Sequence, residues 1–153
     1  MALGSALVHA ARGRDAEGAT ALHEALAIGE VVAPLQVAAA CRELGYVEFL
    51  LGRYDRALNW VARTDPLVPG EAAEQARLAT LKGSILSDTA HYVPAMEQLL
   101  QAQSLALDAA DGKLGIYADS MVARILVLTG RYDEAVTVYQ GRVRQAVSEV
   151  EQA

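Results

Sequence analysis

The chain has 153 residues, of which 53% are apolar, 5% aromatic and 21% charged, and its formal net charge is −6. A chain so rich in hydrophobic residues can offset its ordering entropy, which excludes wholesale disorder. The acidic balance argues against direct nucleic-acid binding, because phosphate contacts need a basic surface. The length suits one domain, and the single cysteine, Cys41, excludes an internal disulfide and is typical of a reducing compartment.

Hydrophobic segments are too short to predict a membrane span. The longest uncharged stretch in the body of the chain is Val31 to Cys41, and Pro34 interrupts it; a span needs about 20 apolar residues. The opening segment, Met1 to Val8, lacks the basic start and long apolar core of a signal peptide. We therefore expect a cytoplasmic protein with no membrane partner.

Apolar spacing and Gly/Pro breaks predict eight helices and no strand. In the clearest helix, Pro34 occupies the first position, where its missing N–H costs nothing, and Gly52 follows the end, where positive φ is tolerated. Breaks are predicted at 64–70 and 108–112. In chain order the predicted helices span 2–12, 15–29, 34–51, 54–64, 71–88, 92–108, 113–129 and 132–151.

A sequence repeat organises these helices. The segment Gly52–Ala57 recurs almost unchanged as Gly130–Ala135, more loosely as Ala90–Ala95, and weakly as Gly13–Ala19. Its closing alanines are spaced by 38, 38 and 40 residues. This regularity predicts a single domain, 1–153, of four helix-turn-helix repeats at about 1–32, 33–70, 71–110 and 111–153.

The repeats resemble the tetratricopeptide repeat (TPR) family. The second copy carries the family's signature positions as Leu44, Gly45, Gly52, Tyr54, Ala57, Val61 and Pro69; the third keeps Gly83, Tyr92, Ala95 and Leu99; the fourth keeps Gly130, Tyr132, Ala135 and Tyr139. The resemblance implies an all-α fold, a right-handed α–α superhelix (solenoid), that binds proteins or peptides. The periods exceed the family's usual 34 and are similar to those of bacterial multidomain ATPase and LuxR-type regulators.

The same resemblance places one face of each repeat's first helix on a concave groove. The groove residues it implies are Arg42, Tyr46 and Phe49, then Arg77, Thr80 and Ser84, then Tyr117, Ser120 and Arg124. Arginine suits carboxylates and aromatic rings offer flat contact area, so the expected partner is a protein or peptide whose acidic residues or free C-terminus would meet the arginines. In the alternative interpretation, the arginines pair with Glu43, Glu48 or Asp88 and only solvate the surface.

Other conspicuous side chains are expected to serve packing. The repeated tyrosines Tyr54, Tyr92 and Tyr132 stand at helix starts and are interpreted as packing residues. Trp60 is expected to be half-buried between helices. Cys41 has no Cys or His at ligand spacing and is expected to be a core thiol.

Known catalytic motifs are missing from the sequence. The histidines His9, His23 and His91 are not at metal-ligand spacing, and Gly112-Lys113 lacks the upstream glycine of a phosphate loop. We therefore expect no enzyme activity, no metal and no cofactor.

The last predicted helix carries an apolar stripe at Val136, Tyr139, Val143, Val147 and Val150. Either this helix caps the repeats, or the stripe meets a partner, which would make Val143, Val147 and Val150 candidates for self-association in a homodimer. The start of the chain almost on a repeat boundary favours a piece of a larger protein. A further alternative is therefore an effector-sensing or domain-sensing segment of a multidomain bacterial transcriptional regulator.

Overall fold

Every element of regular structure in the described residues is helical, which confirms the all-α prediction for that part of the chain. The computed structural model describes residues 26–31 and 33–151, with side chains as far as Gly141. Residues 26–31 are helical, and a short 3-10 turn spans Asp65–Leu67, directly after the helix that ends at Thr64. The helices are α1 (Pro34–Leu50), α2 (Tyr54–Thr64), α3 (Ala72–Asp88), α4 (Tyr92–Asp108), α5 (Gly112–Leu128) and α6 (Tyr132–Glu151).

The helix ends fall where the breaking residues predict them. Pro34 begins α1, and the predicted bounds of α1 to α6 match those observed to within one residue. The predicted break at 64–70 contains the 3-10 turn and ends on Gly70, whose φ is +79°. The predicted helix 2–12 and most of 15–29 lie outside the described residues.

One turn geometry ends four of these helices. The turns after α1, α3, α4 and α5 each place one residue at positive φ, namely Gly52, Ala90, Ala110 and Gly130. In each turn this residue donates its N–H to the carbonyl three positions earlier, and the following residue donates to the carbonyl five positions earlier, at 2.8–3.1 Å. This is the Schellman arrangement, which satisfies the last carbonyls of a helix.

The chain divides into two compact units between Gly70 and Glu71, at the predicted boundary between the second and third repeats. In the first unit, α1 packs against α2 and the 3-10 turn. Among its described residues the core includes Leu26, Val37, Cys41 and Leu44, with Trp60 and Leu67 packed against them.

In the second unit each helix packs against the next, and α3 also contacts α5 directly. A glycine allows α3 and α4 to pack closely: a β-carbon on Gly83 of α3 would lie 2.7 Å from Leu99 Cγ of α4. The buried core residues of this unit include Ala95, Leu99, Val122, Ile125, Leu126 and Ala135. Among the described residues, no helix is both long and apolar enough to cross a bilayer.

Candidate functional site

Two ion pairs hold α3 and α5 side by side. Near the start of α3, Arg77 Nη2 lies 3.2 Å from an oxygen of Asp111, the residue that precedes α5. At the last residue of α3, Asp88 lies 2.7 Å from Arg124 Nη2, which belongs to the final part of α5. The start of α3 therefore lies beside the start of α5, and the end of α3 beside the end of α5, so the two helices run parallel.

Asp111 both caps α5 and pairs with Arg77. Its Oδ1 accepts the backbone N–H of Leu114 at 3.1 Å and so caps the N-terminus of α5, while Oδ2 accepts from Arg77. Arg77 also donates to Glu74 at 2.8 Å. Because the cap positions the carboxylate and the carboxylate positions Arg77, the first turn of α5 and the side of α3 are fixed to each other.

The three predicted groove arginines all have acidic partners. Arg42 pairs with Glu43 at 2.5 Å and Arg124 with Asp88, which are two of the acids that the alternative interpretation named. The pairs of Arg77 were not among those expected. Each of the three guanidinium groups therefore has at least one acidic partner within the chain.

Two predicted groove residues, Thr80 and Ser84, are buried in α3. Their exposed fractions are 2% and 3%. The hydroxyl of Thr80 donates to the carbonyl of Ala76, and that of Ser84 donates to the carbonyl of Thr80, because neither reaches solvent. Both side chains therefore present almost no surface to a partner and do not belong to an exposed binding surface.

The remaining predicted residues of α5 form an exposed face with a distinct composition. Tyr117 and Arg124 are exposed, Ser120 is partly exposed, and the hydroxyl of Ser120 donates to the carbonyl of Tyr117. Ile116 is exposed beside them. The exposed charges of α5 are Lys113 and Arg124, both basic, since its one acid, Asp119, is buried. We call Lys113, Ile116, Tyr117, Ser120 and Arg124 the α5 face.

The two predicted aromatic residues of α1 lie in the first unit and form part of an aromatic group. The rings of Tyr46 and Phe49 are 6.2 Å apart, and Tyr54 of α2 lies 6.2 Å from Phe49 on its other side. Tyr46 is exposed and the other two are half-buried. The sequence had assigned Tyr54 to packing and Phe49 to the groove, whereas the structure brings both into one group.

The packing predictions are confirmed except at one tyrosine. Cys41 is fully buried, and Trp60 is half-buried against the same core. Tyr92 packs on the core of the second unit. Tyr132 is 63% exposed, so its assignment to packing is wrong. The contact of α6 with that core is made by Ala135 and Val138, and the tyrosine at the first helical position lies outside it.

The thiol of Cys41 is a structural group with low reactivity. Burial raises its pKa above the ordinary value; the guanidinium of Arg63 lowers it by a smaller amount, and Glu30 raises it again. Arg63 itself is held by Glu30 at 2.9 Å and lies over the ring of Trp60. A buried thiol with a raised pKa is a weak nucleophile, since the thiolate is the reactive form.

The terminal stripe is exposed as far as its side chains are described. Val136 and Tyr139 expose about half of their surface. The side chains of Val143, Val147 and Val150 lie outside the described residues. Self-association through this helix therefore stays a prediction.

The structure contains a cleft between α4 and α5 that the sequence patterns do not predict. Its volume is about 390 Å³, and Gln103 of α4 and Asp119 of α5 meet across it in a hydrogen bond from the amide to the carboxylate. The only sequence signal was an acid on the apolar side of a helix. No group of three His, Cys, Asp or Glu side chains within the described range could hold a metal ion.

Comparison of the chain with protein-family models, with curated proteins and with solved structures found no match.

Proposed function

We propose that this chain is a non-catalytic helical-repeat protein, a TPR-like right-handed solenoid of four repeats, and that it binds an acidic protein segment on the α5 face. The structural support for a repeat comes from its turns. Positive φ recurs at Gly52, Ala90 and Gly130, which are 38 and 40 residues apart, as the sequence repeat requires. A parallel α3 and α5 is the arrangement that stacked helix-turn-helix units produce.

The exposed positive charges of α5 are the main support for an acidic partner. The protein has a net charge of −6, yet the exposed charged side chains of this helix, Lys113 and Arg124, are both positive. Ile116 and Tyr117 lie among them and expose 47% and 45% of their surface. A basic face with an aromatic anchor on an acidic molecule is complementary to a segment that combines carboxylates with apolar side chains.

The ion pair of Arg124 is compatible with binding. A guanidinium group offers five N–H donors, and the recorded contact with Asp88 involves Nη2. The arginine side chain is 44% exposed, so a carboxylate of a partner can approach its other edge. Asp88 then holds the guanidinium in place, which reduces the side-chain entropy lost on binding. We expect the affinity to fall with added salt, because exposed charge pairs are screened.

A peptide-display selection on the purified chain tests this function. We expect enrichment of peptides that carry Asp or Glu next to aromatic or aliphatic residues. The enriched peptides should lose at least tenfold in affinity for the double variant Lys113→Gln/Arg124→Gln and for Tyr117→Ser, measured by fluorescence anisotropy.

The matched control removes two positive charges elsewhere. Arg53 and Arg131 are exposed and lie at the starts of α2 and α6, so Arg53→Gln/Arg131→Gln changes the net charge by the same amount. Equal loss of affinity in the test and control variants would show that only net charge matters and would overturn the α5 face as the site. Enrichment of neutral or basic peptides would overturn the acidic partner.

A further inference from the structure

The two ion pairs between α3 and α5 mark the side of α3 that faces α5. Arg77 pairs with the residue before α5, and Asp88 pairs with a residue near the end of α5. Thr80 and Ser84 lie between them at intervals of three or four residues, so the four side chains form one stripe along α3. Both hydroxyl residues are almost fully buried. We call these four residues the α3 stripe; it is paired with α5 at both ends and buried in between.

The same stripe is exposed on α5. The two helices have 17 residues each, and every position of α3 has its counterpart 40 residues later in α5, the distance that also separates Ala95 from Ala135. Tyr117 and Leu128 expose 45% and 49% of their surface, Arg124 is exposed, and Ser120 is partly exposed. A surface that is buried in one repeat is therefore open in the next. The counterparts of the α3 stripe, which we call the α5 stripe, are Tyr117, Ser120, Arg124 and Leu128.

The chemistry of the stripe changes between the two repeats. In α3 both ends are charged and the middle is made of small hydroxyl residues. In α5 both ends are apolar, Tyr117 and Leu128, and Arg124 lies between them where α3 has Ser84. Arg124 follows Tyr117 by about two helical turns and precedes Leu128 by about one. A helix packed on α5 as α5 packs on α3 would therefore need apolar side chains at both ends of its contact face and a carboxylate between them.

The charges of α5 argue against face-to-face pairing of two copies of this chain. Its exposed charged side chains, Lys113 and Arg124, are both positive. Two such stripes in contact would place like charges against each other, which costs binding free energy. A segment of different sequence that carries acids is complementary to this stripe.

We propose that the partner segment binds along the α5 stripe as an amphipathic helix that runs parallel to α5, with a carboxylate on Arg124 and apolar side chains on Tyr117 and Leu128. This inference rests on the proposed function, since it gives the acidic segment a conformation, a direction and a residue pattern. The contact of α5 with α3 is the template for this arrangement, and the stripe on α5 continues that interface by one repeat. Recognition of a helix through anchors spaced by three, four or seven residues is a common mode of binding.

Two synthetic peptides of 17 residues, the length of α5, test the conformation. The first is an alanine–glutamine helix with a leucine near each end of one face, a glutamate between them and a hydrocarbon staple on the opposite face. The second lacks the staple and has two central alanines replaced by proline, which breaks the helix. We expect the stapled peptide to bind the full chain at least tenfold more tightly in fluorescence anisotropy, because only a helix presents all three anchors on one face.

The outcomes separate this inference from the proposed function. Equal affinity of the two peptides, lost for both in Lys113→Gln/Arg124→Gln, would overturn the helical conformation and support an acidic segment. Absence of binding by the stapled peptide would also overturn the helical conformation. The peptide-display selection decides separately whether an acidic segment binds the α5 face at all, and its failure would overturn both.

A nitroxide label on the stapled peptide tests the direction. Tyr117 is the counterpart of Arg77, beside which α5 begins, so the bound helix should begin near Tyr117. A label at the amino end of the peptide should broaden the backbone amide signals of Gly115 and Tyr117 in the full ¹⁵N-labelled chain. A label at the carboxyl end should broaden those of Leu128 and Thr129. The reverse pattern would overturn the parallel arrangement.

Leu128→Ser tests the end of the stripe that lies outside the α5 face. The affinity for the stapled peptide should fall about tenfold, because the bound helix would bury this side chain. Leu100→Ser is the matched control: Leu100 of α4 is 51% exposed, close to the 49% of Leu128, and lies on another helix. Unchanged binding by folded Leu128→Ser, or an equal loss in both variants, would overturn the contact with Leu128.

Light scattering of the chain alone, over a range of concentrations, checks a second copy as the occupant. We expect a mass that neither Leu128→Ser nor Lys113→Gln/Arg124→Gln changes. A dimer that dissociates in either variant would assign the α5 stripe to a second copy of this chain and overturn a partner of different sequence.

Discussion

At the scale of single residues, the turns contain two alanines in a conformation that favours glycine. Ala90 has φ of +62° and Ala110 has φ of +51°, whereas the equivalent positions after α1 and α5 are Gly52 and Gly130. In the left-handed region the β-carbon approaches the following carbonyl, at a cost of about 1–2 kcal/mol. The Schellman hydrogen bonds of both turns are intact, so the surrounding helices hold the alanines there.

Glycine at these two positions should stabilise the fold. We expect Ala90→Gly and Ala110→Gly each to raise the free energy of unfolding by about 0.5–1 kcal/mol, since the relieved strain exceeds the extra freedom that glycine gives the unfolded chain. Urea titration followed by circular dichroism measures the change. Ala109→Gly is the control: Ala109 has φ of −80°, so the same exchange one position earlier should destabilise. A loss of stability in both turn variants would contradict the strain argument.

At the scale of elements, the contact between α3 and α4 depends on the missing side chain of Gly83. An added β-carbon would lie 2.7 Å from Cγ of Leu99, 2.9 Å from its Cδ2 and 3.2 Å from the carbonyl oxygen of Ala95. Leu99 and Ala95 are both fully buried, so neither can move aside without disturbing the core. The missing side chain of Gly83 therefore allows both the close approach of α3 and α4 and the burial of Leu99.

Exchange of glycine for alanine should have opposite effects at two helical sites. Gly83→Ala should lower the free energy of unfolding by about 1–3 kcal/mol through overpacking. Gly141 lies inside α6 with no atom within 4 Å of an added β-carbon, so Gly141→Ala should raise stability by up to about 1 kcal/mol through helix propensity. Thermal and urea unfolding of both variants provide the comparison. Similar changes of the same sign would mean that propensity, rather than the Leu99 contact, determines the effect at Gly83.

The elements were more predictable from sequence than the site. Pro34 and Gly52 act through their own backbone restrictions, so the ends of α1 follow from local chemistry. The burial of Thr80 and the contact of Arg77 with Asp111 depend on how helices far apart in sequence align. Helical periodicity says which residues share a face, but it does not say which face a neighbour covers. For that reason the sequence does not predict that Asp119 is buried beside the cleft.

At the scale of the whole molecule, the cores belong to separate units. The first unit packs Val37, Cys41 and Leu44 together, and the second packs Leu99, Val122 and Ile125. Four consecutive helices contribute to the second unit; each packs against the next, and α3 also contacts α5. Because the second unit buries a hydrophobic core of its own, it should not require the rest of the chain.

Residues 71–153 expressed alone should therefore fold. We expect a helical circular-dichroism spectrum and a cooperative thermal transition, because the Leu99 core and both α3–α5 ion pairs lie within this segment. The control is the segment 91–153, which lacks α3. It exposes Leu99 and removes the partners of Asp111 and Arg124, so it should lose the cooperative transition. A gradual, non-cooperative transition in residues 71–153 would show that this unit draws essential stability from the preceding chain. A cooperative transition in both segments would mean that α3 is dispensable, contrary to its closely packed contact with α4.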